Sequence, residues 1–360
     1  MSKGNNGSPS SPHVAEISRP LEEQKRKLQE LSTPPEPNYF EGTIFEGGSF
    51  RKQLEEFKEE PRRALFGEFW KERELAILAG QTGVGKSALA LQIALKVSEG
   101  TALDSLKGDG TEVETPAQKV LFLDCENSVE TWKGRVDERT VPPSLLRFNI
   151  KLGAEFEGSY SKEIVRSASV LLERTGAKVL IIDNVSWLFS DLSQNDLHAE
   201  TSALMKLLWQ LKTERSCAIL VIAHTLKGKG ASTFEIGDVQ GSTNLTKYLE
   251  SLFAVARVHG HESQRYLKQL KTRNRKERFG ESNVAVCDLV QIGKSLQYVR
   301  REELDSREKL LLSGELDKKE EIESLLIEGK SAKEIVEELE VSRSYVHKVK
   351  KELNLTKGVE

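Results

Sequence analysis

Gly80-Gln81-Thr82-Gly83-Val84-Gly85-Lys86-Ser87 fits the pattern G-x-x-x-x-G-K-[ST], between the apolar run Leu75 to Ala79 and an amphipathic stretch from Ala88 to Val97. A strand that passes through closely spaced glycines straight into a helix is built to wrap its backbone around an anion. The glycines let N–H groups face inward, the helix N-terminus adds partial positive charge, Lys86 reaches the terminal phosphates, and Ser87 offers a hydroxyl to Mg2+. Gly80, Gly83 and Gly85 are expected in backbone conformations closed to side chains. The whole loop, with Gln81, Thr82 and Val84, therefore predicts binding of ATP with Mg2+.

The surroundings agree. From Glu74 to about Arg300 the chain alternates short continuous apolar runs with longer helical-period segments, which is how a parallel sheet covered on both faces reads. The runs are Leu75 to Ala79, Val120 to Leu123, Val179 to Ile182, Ala218 to Ala223 and Leu252 to Val255. Ala88 to Val97, Ser161 to Arg174 and Leu197 to Thr213 are long enough to be crossover helices. Tyr266 to Lys271, Asn283 to Leu289 and Leu296 to Arg300 follow almost without interruption, which predicts an antiparallel edge. The expected fold class is α/β, a mostly parallel sheet with an antiparallel edge and a small all-α module after it.

Charge and cysteine usage narrow the function classes. Lys and Arg number 53 against 56 Asp and Glu, a net charge of −3, so any nucleic-acid contact must be local. No apolar run approaches a membrane span, the N-terminus has no signal-peptide pattern, and Cys125, Cys217 and Cys287 lie far apart. A cytoplasmic protein without membrane contact, disulfides or a cysteine zinc site is expected.

A magnesium-holding acid should end a neighbouring strand, and Asp183 closes the run Val179 to Ile182. The next residue is Asn184, not Glu, so a water-activating carboxylate must come from elsewhere. Glu126 ends Val120 to Asn127, and Asp124, two residues earlier, could face the same way; the residues leave both open.

This order of motifs resembles the RecA-like ATPases, in particular the RepA and DnaB type of hexameric helicase core, over about residues 65 to 300. The resemblance implies a homo-oligomer, a hexamer, that works on single-stranded DNA in its ring. It implies that Glu126 is the catalytic glutamate and that His224, after Leu220 to Ala223, is the γ-phosphate sensor. Leu267 to Arg275 is similar to the family's K-x-R element, in which Lys271 and Arg273 would reach the ATP of a neighbouring subunit; the other reading is a plain basic turn. The segment His224 to Gly241, with Lys227 and Lys229, matches the DNA-gripping loop by position; a surface loop without DNA contact is the alternative. Gly241 to Asn244 would cap a helix from Leu245 to Glu250. The chain departs from DnaB in that nothing before Glu74 reads as a folded N-terminal domain.

Lys319 to Leu353 reads as three short helices resembling a resolvase-type helix-turn-helix. Ser331 to Glu334 forms a capping box, and Ser342 caps the third helix. Arg301 to Glu360 carries 12 basic and 16 acidic residues, yet Arg343, Lys348, Lys350 and Lys351 stand together without an acid. Arg343, Ser344 and Tyr345 could reach base edges of a duplex, and Lys348 a phosphate; a protein-interaction module is the alternative. The expected organisation is a disordered tail at 1–40, rich in proline, then an ATPase domain at 41–300, a connector at 301–318 and the helix-turn-helix at 319–355.

Overall fold

A computed structural model describes residues 23, 44, 49–58, 61–102, 113–151, 159–184, 193–224, 246–258, 261–273, 275–280, 283–301, 313–339 and 341–356. The chain divides into two compact units, Met1–Pro61 and Arg62–Glu360. The first contains helix α1 (Phe50–Glu56), capped by Ser49, with Phe50 and Leu54 exposed. Everything below belongs to the second unit.

Its centre is a nine-stranded sheet in the order β13-β12-β11-β10-β3-β9-β8-β6-β7. The strands are β3 (Leu75–Gly80), β6 (Val120–Asp124), β7 (Leu145–Asn149), β8 (Val179–Asp183), β9 (Ala218–His224), β10 (Ser251–Val258), β11 (His261–Thr272), β12 (Ala285–Ile292) and β13 (Ser295–Arg300). Neighbours from β10 through β3, β9, β8 and β6 to β7 pair in parallel, and β11, β12 and β13 pair antiparallel. This is the expected fold class. Two small hairpins, β1 (Ala64–Phe66) with β2 (Trp70–Lys71) and β4 (Thr101–Ala102) with β5 (Val113–Glu114), stand outside it.

The central strands carry apolar residues on both faces because both faces are covered. Leu75, Ile77 and Ala79 face the cluster formed with α4 (Tyr160–Thr175) and α5 (Gln194–Arg215). Ala76 and Leu78 face the opposite cluster, which α2 (Lys86–Glu99) fills with Leu89, Ala90, Ile93, Ala94 and Val97. Each large aliphatic side chain buried this completely contributes about 1.5–3 kcal/mol relative to exposure.

The structure departs from the sequence reading at β7 and at the segment before β10. Strand β7 was not expected, because its side chains are only partly covered and Arg147 and Asn149 interrupt the apolar pattern. Short helix α3 (Val129–Lys133) begins after Ser128, whose hydroxyl accepts from the Thr131 N–H at 3.3 Å. Of the expected helix Leu245 to Glu250, the described part is a single 3-10 turn, Thr246–Tyr248. The segments holding Lys227, Lys229 and Gly241 to Asn244 lie outside the described residues.

The C-terminal helices are α6 (Ser313–Ile327), α7 (Ala332–Leu339) and α8 (Arg343–Thr356), so the first helix starts inside the expected connector. Ile322, Ile335, Val346 and Val349 form their shared core. The capping box closes both ways: the Ser331 N–H donates to Glu334 Oε2 at 2.8 Å, and the Glu334 N–H donates to Ser331 Oγ at 3.4 Å. Among the described residues, no helix is long and apolar enough to cross a membrane.

Candidate active site

The parallel strands all end on one side of the sheet, and β3, β9, β8 and β6 bring Gly80, His224, Asp183 and Asp124 to that edge. Gly80 is in register with His224, and Asp183 with Asp124. The residues the sequence reading separated by up to 144 positions, from Gly80 to His224, thus meet at one rim.

The loop itself follows from its glycines. Gly83 and Gly85 take φ of +73° and +105°, conformations that L side chains rarely adopt. Gly80 does not; the expectation of a special backbone there is corrected. Its requirement is space, since a Cβ would stand 2.7 Å from the Val255 carbonyl oxygen. Val84 is buried and pins the loop to the core. Gly85 starts α2 with no side-chain cap, which leaves the first-turn N–H groups available to an anion.

Lys86 is buried and donates to the carbonyls of Gly80 and Gln81, both at 2.8 Å, and its Nζ lies 3.1 Å from His224 Nδ1. Burial pushes its pKa down to about 8 against the pull of Asp183 and Glu126. Asp183 is fully buried, and among the described residues neither of its oxygens has a hydrogen-bond partner of ordinary geometry. Burial pushes its carboxyl up to about 7; nearby Ser87, without a hydrogen bond of ordinary geometry, and the Lys86 charge offset part of this, while Asp124 and Glu126 add to it. A buried carboxylate with no ordinary hydrogen bond among the described residues, beside a hydroxyl and below a phosphate loop, is the donor set a hard divalent cation requires. Ser87 and Asp183 therefore fit Mg2+.

The geometry separates Asp124 from Glu126. Asp124 is buried and saturated: Oδ1 accepts from the N–H groups of Glu126 and Asn127 at 3.1 and 2.9 Å. Its Oδ2 accepts from Trp132 Nε1 at 2.5 Å and from Arg147 Nε and Nη2 at 3.0 and 2.8 Å. Asp124 thus anchors the turn that presents Glu126. Glu126 is exposed and lines a cleft of about 300 Å³ together with Thr82, Lys86, Ser87, Asn184 and His224. Its Oε2 accepts from Asn184 Nδ2 at 2.6 Å. His224 is half-buried, and burial together with the Lys86 charge lowers its pKa to about 4, so its ring is neutral at pH 7.

Lys271 and Arg273 do not meet this site. Thr272 pairs with Ser251, in turn level with Ala76, so the basic pair sits at the opposite end of the sheet from the phosphate loop. There Lys271 Nζ donates to the Thr246 carbonyl, and Arg273 Nη2 to the Lys247 carbonyl at 2.6 Å. On α8, Arg343, Ser344 and Lys348 are exposed, whereas Tyr345 packs partly against the helical core.

Strand β10 and the antiparallel edge beside it supply residues that sequence reasoning missed. Arg265 Nε donates to the Val84 carbonyl at 2.9 Å, the Tyr298 hydroxyl donates to the same oxygen at 3.1 Å, and Arg257 Nη2 donates to the Gly83 carbonyl at 3.2 Å. The one signal available was a charged Arg265 inside a strand whose neighbours are buried.

Residues 49–230 match the family described as AAA domain. No curated protein matches the chain. Among solved structures, the chain is similar to a KaiC-like protein of the hyperthermophilic archaeon Pyrococcus horikoshii OT3, at 12% identity and a TM-score of 0.44, over 66% of this chain and 99% of that one.

Proposed function

This chain belongs to the AAA domain family and to the P-loop ATPases, and on that footing we propose that it is an oligomeric, ATP-hydrolysing motor of the helicase type that acts on DNA. The observation that carries the catalytic part is the meeting of Lys86, the buried Asp183 carboxylate and the exposed Glu126 carboxylate at the ends of β3, β8 and β6.

The roles follow from the positions. Lys86 exchanges the carbonyls of Gly80 and Gln81 for β- and γ-phosphate oxygens, and the loop N–H groups from Gln81 to Ser87 receive the rest of the phosphate charge. Ser87 and Asp183 would hold Mg2+, which when bound neutralises charge on the transferring phosphoryl group. Glu126 takes the proton of the attacking water, being exposed and within the same cleft as Lys86. His224, neutral at pH 7, reports the γ-phosphate from the end of β9. Lys271 and Arg273, remote from their own chain's loop, act on the ATP of a neighbouring subunit, which makes hydrolysis depend on assembly, as a hexamer. Lys227 and Lys229 contact single-stranded DNA in the ring, and Arg343, Ser344, Tyr345 and Lys348 contact duplex.

A second reading, an ATP-gated DNA-binding regulator without strand separation, is favoured by one feature: α6 to α8 have their own core, and Arg343, Lys348, Lys350 and Lys351 are exposed on α8. Steady-state ATP hydrolysis across protein concentration, with and without single-stranded DNA at fixed salt, separates the two. The motor requires a rate that rises more steeply than concentration and is stimulated by the strand. A slow rate indifferent to both, with nucleotide-dependent duplex binding and no unwinding of a fork, replaces the motor by the regulator.

A further inference from the structure

Two guanidinium groups stand over the indole of the buried Trp132, and among the described residues only one of them has a carboxylate partner. Arg147, its Cζ 5.8 Å from the ring centroid, donates through Nε and Nη2 to Asp124 Oδ2 at 3.0 and 2.8 Å, and through Nη2 to the Asn127 carbonyl at 2.5 Å. Arg135, its Cζ 5.5 Å from the same centroid, donates from Nη1 to Asn127 Oδ1 at 3.4 Å, the long limit of a hydrogen bond. A ring contact of this kind holds a guanidinium while leaving its in-plane N–H donors free for another acceptor.

The local chain path puts Arg135 there. Trp132 Nε1 donates to Asp124 Oδ2, which clamps α3 onto the Asp124 turn, and the Arg135 N–H donates to the Trp132 carbonyl at 2.9 Å. The side chain is exposed and lines the cleft of about 300 Å³ that also holds Lys86, Ser87 and Glu126. Lys86 feels the charges of Asp183 and Glu126, whereas Arg135 brings to the cleft a positive charge with no acid of its own among the described residues. Its position selects the phosphate. Arg135 is tied to Asn127, the residue next to Glu126, so its donors stand beside the carboxylate that takes the proton of the attacking water. The group that this water attacks is the γ-phosphoryl.

We propose that Arg135 is a catalytic residue that donates, within its own chain, to the γ-phosphoryl oxygens of ATP as charge develops on them. The water oxygen bonds to phosphorus as the bond from phosphorus to the β–γ bridging oxygen breaks; the electron pair leaves with ADP, and the water proton goes to Glu126. Arg135 loses no proton. It exchanges the 3.4 Å contact with Asn127 for charge-assisted hydrogen bonds to the transferring group. The inference rests on the reading of this cleft as an ATP-hydrolysing site with Glu126 as base, and it is separate from the part given to Lys271 and Arg273 of a neighbouring subunit.

The full chain is titrated with ADP and Mg2+, with and without aluminium fluoride, which mimics the transferring phosphoryl group. In Arg135→Ala, ADP affinity is expected within about twofold of wild type, while the gain from aluminium fluoride falls at least about tenfold and kcat at least about 100-fold, the scale of a lost preorganised donor. A wild-type kcat or a full aluminium fluoride gain overturns the proposal. So does an equal loss of binding with and without aluminium fluoride, which marks a contact to the body of the nucleotide. Arg135→Gln keeps an apolar stem on the indole and guards against a folding defect in the alanine variant; the same loss of kcat is expected from it. Mixing Arg135→Gln subunits with Glu126→Gln subunits should restore nothing, because both residues serve one site, and recovery at any ratio would move Arg135 to the neighbouring site. Glu126→Gln alone separates the two readings: retained turnover there removes the base assignment itself. Lost turnover there, with a wild-type kcat in Arg135→Ala, removes only the arginine.

Discussion

The Tyr298 hydroxyl, on the last strand of the sheet, stands where it would be 2.6 Å from a Cβ at Gly85, and it donates to the Val84 carbonyl at 3.1 Å. The far antiparallel edge is therefore part of the phosphate loop's support. Gln92 of α2 completes the brace, exchanging hydrogen bonds with the Tyr298 backbone at 2.9 and 3.0 Å.

Gly85→Ala should abolish nucleotide binding while leaving the sheet folded. The substitution combines a φ of +105° with the Tyr298 contact, and backbone strain of this kind costs about 1–3 kcal/mol before the collision is counted. Tyr298→Phe should keep the fold, lose about 1 kcal/mol of stability as the Val84 carbonyl gives up one of its two donors and keeps Arg265, and weaken ATP binding. Equilibrium titration with a fluorescent ATP analogue, paired with thermal unfolding, checks both.

Asp124 and Glu126 should behave in opposite ways. Asp124→Ala leaves the partly buried Arg147 guanidinium and the Trp132 indole without their shared carboxylate, and strips the Glu126 turn of its anchor, a loss of about 1–3 kcal/mol. Chemical denaturation should show that loss, whereas an alanine at the exposed Glu126 should move the midpoint little.

Asp183 gives a pH signature. Its folded-state pKa, about 7, lies above its ordinary value of 3.8. A carboxyl shifted in this direction favours the native state fully below its unfolded pKa and loses that contribution as pH rises through the folded one. Without Mg2+ and nucleotide, Asp183→Asn should therefore raise the melting temperature more at pH 8 than at pH 4, and it should weaken Mg2+-dependent binding. Equal effects at both pH values would contradict the burial argument.

Much of this was legible in the sequence for a physical reason. Strands such as β3 and β9 are buried on both faces, so they must be continuously apolar, and the loop between β3 and α2 must be glycine-rich to turn and to bind. Strand β7 lies at the sheet's edge and spends Arg147 and Asn149 on the Asp124 turn, so its pattern carried no strand signal. Tyr298 and Arg265 act across 214 and 181 residues, a relation no local pattern records. Asn184 was readable only as a missing acid; its link between Glu126 and His224 exists in three dimensions alone.

Lys271 and Arg273 lie at the end of β11 away from the chain's own loop, which makes a mixing experiment informative. Arg273→Ala subunits and Glu126→Gln subunits, each inactive, should regain part of the wild-type ATPase rate when combined. Absence of rescue at every ratio would rule out action between subunits.

On α8, Lys348→Ala should weaken duplex binding about equally across sequences and reduce the salt slope by about one, as loss of a single phosphate contact does. Arg343→Ala should instead relax sequence preference. Fluorescence anisotropy over a salt series distinguishes them.

The most direct measurement is single-turnover ATP hydrolysis by the wild-type chain and by Glu126→Gln, with Mg2+ and at saturating protein. The account requires that the variant bind ATP as tightly as the wild type and hydrolyse it at least about 100-fold more slowly, the range of a lost general base. A variant that binds and turns over at the wild-type rate would contradict the site described here.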